Sequence, residues 1–248
     1  MSLSLLLVGG AAFAAGVVNA IAGGGSLITF PVLVAVGLPH VVASLTNTVA
    51  LCPGYFGATI AQRKDLEGQR GRMLRVLPWG ALGGVVGALL LLFTDERAFE
   101  VVVPFLILFA AALLAFQDRL RGWLMARTKH GAEGWAVLPV ALGAVYGGYF
   151  GAGLGVIVLA ALAVVLADSL TRINALKQSV SLAVNVAAAG VFLVSGRVDW
   201  PIAGVMLVCS LAGGALGGMI ASKIPASVLR WLVVTVAVVV AIVYFVQW

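Results

Sequence analysis

Polar residues along this chain come in short clusters. Between them run apolar stretches at roughly 3–22, 26–37, 41–61, 76–93, 99–116, 135–150, 154–167, 174–195, 200–221 and 228–247. Two of them, 135–150 and 154–167, almost fuse, and 137–167 is interrupted only by Gly, Tyr and one Pro. It exceeds the roughly 18 residues that mark a candidate membrane span. In hydrocarbon a backbone must satisfy its own polar groups, which a helix does within itself. The pattern therefore predicts an all-α, polytopic membrane helix bundle.

Two of these runs are punctured by glycine. Ile21-Ala22-Gly23-Gly24-Gly25-Ser26 breaks an apolar run of more than thirty residues, and 147–155 (Gly-Gly-Tyr-Phe-Gly-Ala-Gly-Leu-Gly) does the same further on. Each glycine costs roughly 1 kcal/mol against Ala inside a helix. Unwound backbone at membrane depth survives only where protein or a water-filled cavity meets its amides. The plain reading is a kink or close packing. Paired breaks favour a binding site, as in transporters whose discontinuous helices hold the substrate.

The breaks also divide the chain. The longest polar segment, 117–134, lies near the middle, so the expected organisation is a first transmembrane repeat at 1–120, a basic cytoplasmic linker at 121–134 and a second repeat at 135–248. Gly80, Gly83 and Gly84 recur at constant spacing as Gly214, Gly217 and Gly218. Such small faces let helix backbones approach closely in lipid, and packing is their preferred reading. Each of the two homologous halves thus opens with a glycine-broken or re-entrant helix.

Charge bears on topology. If each break is the tip of a re-entrant hairpin, segments 62–75, 117–134, 167–177 and 222–230 share one side and hold 13 of the 15 basic residues, leaving Arg97 and Arg197 opposite. If each broken helix instead crosses once, the repeats are parallel and only 10 fall inside. The positive-inside bias prefers the inverted arrangement, with both termini outside. The length of 3–22 resists it as half of a hairpin.

Composition agrees with lipid as the solvent. Of 248 residues 62% are apolar and 10% charged, against about a quarter charged in soluble domains. The net charge of +6 sits in the short gaps between apolar runs, not on one face, so no nucleic-acid partner is expected. Cys52 and Cys209 lie in apolar runs with no CxxC, and with only His40 and His130 no metal or other cofactor is expected. Ala12-Phe13-Ala14 resembles a signal-peptidase site, but no basic residue precedes it and the apolar run continues, so the N-terminus is expected to be retained. No paired carboxylates or nucleophile–base spacing occur in the apolar runs, so no enzyme is expected.

The run 19–31 (Asn-Ala-Ile-Ala-Gly-Gly-Gly-Ser-Leu-Ile-Thr-Phe-Pro), followed by Gly37-Leu38-Pro39 and Thr46-Asn47, resembles the first-repeat motif of the sulfite exporter TauE/SafE family. The 147–155 run followed by Asn174 to Asn185 is similar to its partner motif, and the resemblance covers essentially the whole chain. It is nearest to the branch described as probable membrane transporters. It implies a multi-pass permease of the cell (inner) membrane for sulfite, sulfoacetate or a related organosulfur anion, acting in export.

A small oxyanion needs amide or hydroxyl donors and usually one cation, away from water. Backbone N–H groups at broken helix ends supply the first. The candidate substrate residues are Gly23, Gly24, Gly25, Gly151 and Gly153 with the polar side chains Asn19, Ser26, Thr46, Asn47, Thr48, Tyr149, Lys177, Gln178 and Asn185. The clusters 46–48 and 177–179 fall at equivalent repeat positions. Lys177 precedes a long uncharged run and is either a substrate cation or a snorkelling interfacial lysine. The expected partners are a small anion and the bilayer, with a homodimer left open. No carboxylate lies deep in a span, which disfavours cation transport and leaves a uniporter or channel-like mechanism open. The alternative is a membrane assembly or scaffold protein whose glycines serve packing alone. It has no need of broken helices.

Overall fold

The structure, a computed structural model, describes residues 3–127, 137–166, 168–221, 223–224 and 226–246. The helices are α1 (Leu3–Ile21), α2 (Ser26–Ala35), α3 (His40–Ala61), α4 (Arg70–Leu92), α5 (Glu96–Arg127), α6 (Val137–Tyr149), α7 (Leu154–Val165), α8 (Leu170–Val194), α9 (Trp200–Ile220) and α10 (Ala226–Val246). A 3-10 turn, Arg63–Leu66, joins α3 to α4. Among the described residues none forms a strand. Among the described residues six helices are long and apolar enough to cross a membrane: α1, α4, α8 and α9 whole, with Glu96–Arg119 of α5 and Ser227–Val246 of α10. Helix α3 is as long, but Ser44, Thr46, Asn47 and Thr48 make it more polar. Helix α5 runs on to Arg127 because nothing in 117–127 breaks it, so the start of the expected linker is helical. Residues 128–136, the rest of it included, lie outside the described set.

Contacts at the helix ends give each helix a direction. At one end Arg72 of α4 donates to Asp168 before α8 (2.6 Å), Arg172 donates to the Glu67 carbonyl oxygen (2.9 Å), and Gln69 donates to the Arg172 carbonyl oxygen (2.9 Å). Arg230 at the start of α10 pairs with Asp118 of α5 at 2.6 Å. This is the basic end. At the other end Glu96 accepts from the Val41 amide (3.1 Å), closing the start of α3 against the start of α5, and His40 stacks near Tyr244 of α10. Thr46 accepts from the Asp199 amide (3.1 Å) just before α9. Helices α3, α4, α5, α8, α9 and α10 therefore each run from one end to the other.

The remaining four helices form two hairpins. Helix α1 starts at the far end beside Val205 and Cys209 and follows α9 down to Gly217, covering roughly 28 Å at 1.5 Å per residue. The chain turns at 22–25, and α2 returns to the far end, where Phe30 lies against His40. Helix α6 follows α4 upward from the basic end, turns at 150–153, and α7 returns to the basic end. The hairpins enter from opposite ends, and their tips touch where Gly23 meets Gly155.

Glycine makes the crossings possible. Helix α9 is wedged between α1 and α3, with Gly217 on Val17 and Ala20, and Gly214 and Gly218 on Gly54 and Ala58. Helix α4 is wedged between α6 and α8, with Gly83 on Ala141 and Ala144, and Gly80 and Gly84 on Val180 and Val184. Lipid gives no hydrophobic drive for such contacts, so close backbone approach supplies it through van der Waals packing. A Cβ on Gly84 would stand 2.5 Å from the Val184 carbonyl oxygen.

Arg72 beside Asp168, helped by the Ser169 amide and by Arg172, holds the Asp168 carboxyl below its usual range against a smaller opposing effect of burial.

Two outcomes follow from this architecture. Gly84→Leu should destabilise the folded protein by at least the ~1–3 kcal/mol typical of overpacking, read as a lower midpoint of thermal unfolding in detergent. Leu82→Ala, on the exposed side of the same helix, should change the midpoint little. The Asp168 carboxylate has its pKa lowered on folding, so its contribution is complete above the unfolded value of about 3.9 and fades as pH falls through the lower folded one. The midpoint gap between wild type and Asp168→Asn should hold steady at neutral pH and narrow only below about pH 4.

Candidate functional site

Interrupting α1 strands its last carbonyls. The Gly23 amide donates back to the Val18 carbonyl oxygen (2.9 Å), leaving the Asn19 and Ala20 oxygens without helical partners. Helix α8 supplies them. Gln178 Nε2 donates to both oxygens at 2.8 Å, Lys177 Nζ donates to the Asn19 oxygen at 3.2 Å, and Asn174 Nδ2 donates to the Ala20 oxygen at 3.2 Å. A cation at the C-terminal end of a helix is favourably placed against the helix dipole. Lys177 is 0% exposed, and among the described residues no carboxylate forms an ion pair with it.

The other side of each break strands amides. Gly23 (φ 85°) and Gly24 (φ 89°) in the first, and Gly151 and Gly153 (both φ 79°) in the second, take left-handed conformations that a side chain would strain. The Gly25 amide donates to Asn19 Oδ1 at 2.7 Å. Among the described residues, the amides of Gly24 and Ser26, and of Gly151, Ala152 and Gly153, donate to nothing. These lie at the N-terminal ends of α2 and α7, where helix dipoles favour negative charge. Ser26 Oγ and Thr48 Oγ1 stand 3.7 and 4.0 Å from the position a Cβ on Gly151 would occupy.

Eight candidates thus converge on the two breaks: Asn19, Gly23, Gly25, Ser26, Thr48, Gly151, Lys177 and Gln178. Asn47 sits beside them, accepting from Thr29 Oγ1 of α2 at 2.5 Å. The others point elsewhere. Gly24 faces Leu114 and Val233, and Gly153 faces Ala110, so both turn toward α5 and α10. Tyr149 reaches the far end, its hydroxyl 3.3 Å from Thr94 Oγ1. Thr46 faces the start of α9, and Asn185 donates within its own helix to the Ser181 carbonyl oxygen at 2.8 Å.

Two further residues belong to the arrangement. Gly155 touches Gly23, and a Cβ on it would lie 3.7 Å from Lys177 Cδ. Its place in the 147–155 glycine run was the available signal. Asn174, one turn before Gln178, caps Ala20 and donates to Gln62 Oε1 at 2.9 Å, linking the first break to the end of α3. Beneath the tips a cavity of about 590 Å³ opens toward the basic end, walled by Ile21, Ala22, Val156, Gln62, Gln117 and Asn174. Gln62 Nε2 and Gln117 Oε1 are buried there without partners among the described residues.

Apolar helices long enough to span a bilayer, two broken helices meeting tip to tip and a cavity leading to them define a multi-pass membrane transporter. The chain belongs to the family described as Sulfite exporter TauE/SafE, whose profile matches residues 8–244. It is 32% identical to a probable membrane transporter protein of Haemophilus influenzae over 83% of this chain and 80% of that one. Similar proteins of the same description occur in Sinorhizobium sp, at 27% over 94% and 88%, and in Escherichia coli K12, at 25% over 92% and 84%.

Proposed function

We propose that this transporter is a permease for a small anion, sulfite, sulfoacetate or a related organosulfur anion, exported across the inner membrane. The observation that carries the reading is Lys177, a fully buried lysine whose Nζ, among the described residues, donates only to a carbonyl oxygen, set beside two helix ends with amides that have no partner among those residues. An unpaired charge in a low-dielectric interior is expensive, and a bound anion is the counter-charge that relieves it. One lysine with neutral donors around it suits a single negative charge best. Amides fixed by the breaks need no reorganisation when the ligand arrives.

The two hairpins belong in this reading to two homologous halves of opposite orientation, with the basic end cytoplasmic. The support is the equivalent wedging of α4 between α6 and α8 and of α9 between α1 and α3, on glycine triads of equal spacing.

Lys177→Met keeps the aliphatic stem and removes the charge. It should weaken sulfite or sulfoacetate binding by about tenfold to a hundredfold, matching the ~1.5–3 kcal/mol of a charged hydrogen bond, and Lys177→Arg should retain part of the affinity. Isothermal titration and liposome flux are the measurements, and unchanged binding by Lys177→Met would sink the reading. For orientation, Ser227→Cys, exposed at the start of α10, on a background without Cys52 and Cys209 should react with an impermeant thiol reagent only from the cytoplasmic face. Labelling from outside would instead require parallel halves.

A further inference from the structure

The cavity gives the breaks a path to the basic end, reaching residues that flank the Gly23–Gly155 contact. On the far side lies a different kind of wall. Phe30 of α2, Phe99 of α5 and Phe150 at the start of the second break meet with ring centroids 5.3, 6.2 and 6.4 Å apart, all steeply tilted. They are 1%, 0% and 2% exposed. Tyr149 packs on Phe99, and His40 bridges Phe30 to Tyr244 of α10. Phe30 follows Ser26 by one helical turn, and Phe150 immediately precedes Gly151. The segments that present donors to the site therefore also carry two of the three rings.

We propose that Phe30, Phe99 and Phe150 form the closed outer gate of the transport pathway, in a conformation open toward the basic end. The inference rests on the breaks being the transport site. An aromatic contact suits a gate because parting it strands no hydrogen-bonding group, whereas opening a polar seal would. Edge-to-face rings also exclude water without a covalent or charged latch. Movement of the α2 start or of the second break around a ligand displaces Phe30 or Phe150 directly, which couples occupancy to opening.

The test reads access and does not depend on the solute carried. Thr48→Cys, on the background lacking Cys52 and Cys209, reports on the site from beneath the rings. An impermeant methanethiosulfonate reagent applied outside should modify it slowly. Phe99→Ala or Phe150→Ala should speed that reaction by about tenfold or more, and the leucine variants by less. Thr171→Cys, exposed in the inner cavity, should react from the inner face at the same rate throughout, showing that the fold persists. Where an alanine variant loses that reactivity, the leucine variant of the same residue replaces it. Outer labelling of Thr48→Cys at the parent rate in the Phe30, Phe99 and Phe150 variants, with Thr171→Cys reacting normally, would overturn the gate. It would leave the anion reading to be judged by Lys177→Met alone.

Discussion

A peptide N–H or carbonyl without a partner is tolerated at membrane depth only where protein or water meets it, and this constraint organises the whole molecule. The chain breaks two helices there and must answer for the groups it exposes. Carbonyls freed at the end of α1 are met by Asn174, Lys177 and Gln178, which tie the first hairpin to α8. The Asn19 side chain meets the Gly25 amide. What remains is a set of amides at the starts of α2 and α7, and a helix pair on each side packs tightly around the hairpins. The glycine faces of α4 and α9 achieve that closure, because side chains there would hold the backbones apart.

Much of this was legible in the sequence. Among the described residues each α-helix coincides with an apolar run, α5 continuing past its run to Arg127, since in lipid an apolar run is both the cause of insertion and the mark of the span. The breaks were legible because dense glycine has few other uses in such a run. Side-chain direction was less so. Thr46, Asn47 and Thr48 read as one cluster, but successive helical residues turn by about 100°, so the three diverge. Thr46 meets Asp199, Asn47 meets Thr29, and Thr48 faces Gly151. Gly24 and Gly153 likewise follow the phase of a left-handed turn that composition does not encode. The aromatic trio gave no sign in advance, for each phenylalanine is ordinary in its own run. Only the fold brings α2, α5 and the second break together.

Charge is distributed according to the same economy of partners. At the basic end Arg72, Asp168 and Arg172 join the α3–α4 connection to the start of α8, and Arg230 joins α10 to α5. At the far end Glu96 closes the start of α3. The Arg72–Asp168 and Arg230–Asp118 pairs thus link helix ends that lie far apart in the chain. Lys177 is the exception, a fully buried lysine with no carboxylate partner among the described residues.

The two breaks are not mechanically equal. Six residues before Gly25 stands Asn19, whose amide staples the first turn shut. Six residues before Gly153 stands Gly147, which offers no side chain and leaves its space to Leu154. The first hairpin is accordingly braced twice at its tip, by its own asparagine and by three side chains of α8, while among the described residues the second has only the Tyr149–Thr94 side-chain hydrogen bond at the far end. Side-chain hydrogen bonds are therefore concentrated on the first tip, whereas α6–α7 rests on α4 through glycine-to-backbone contact at Gly83, Gly84 and Gly87.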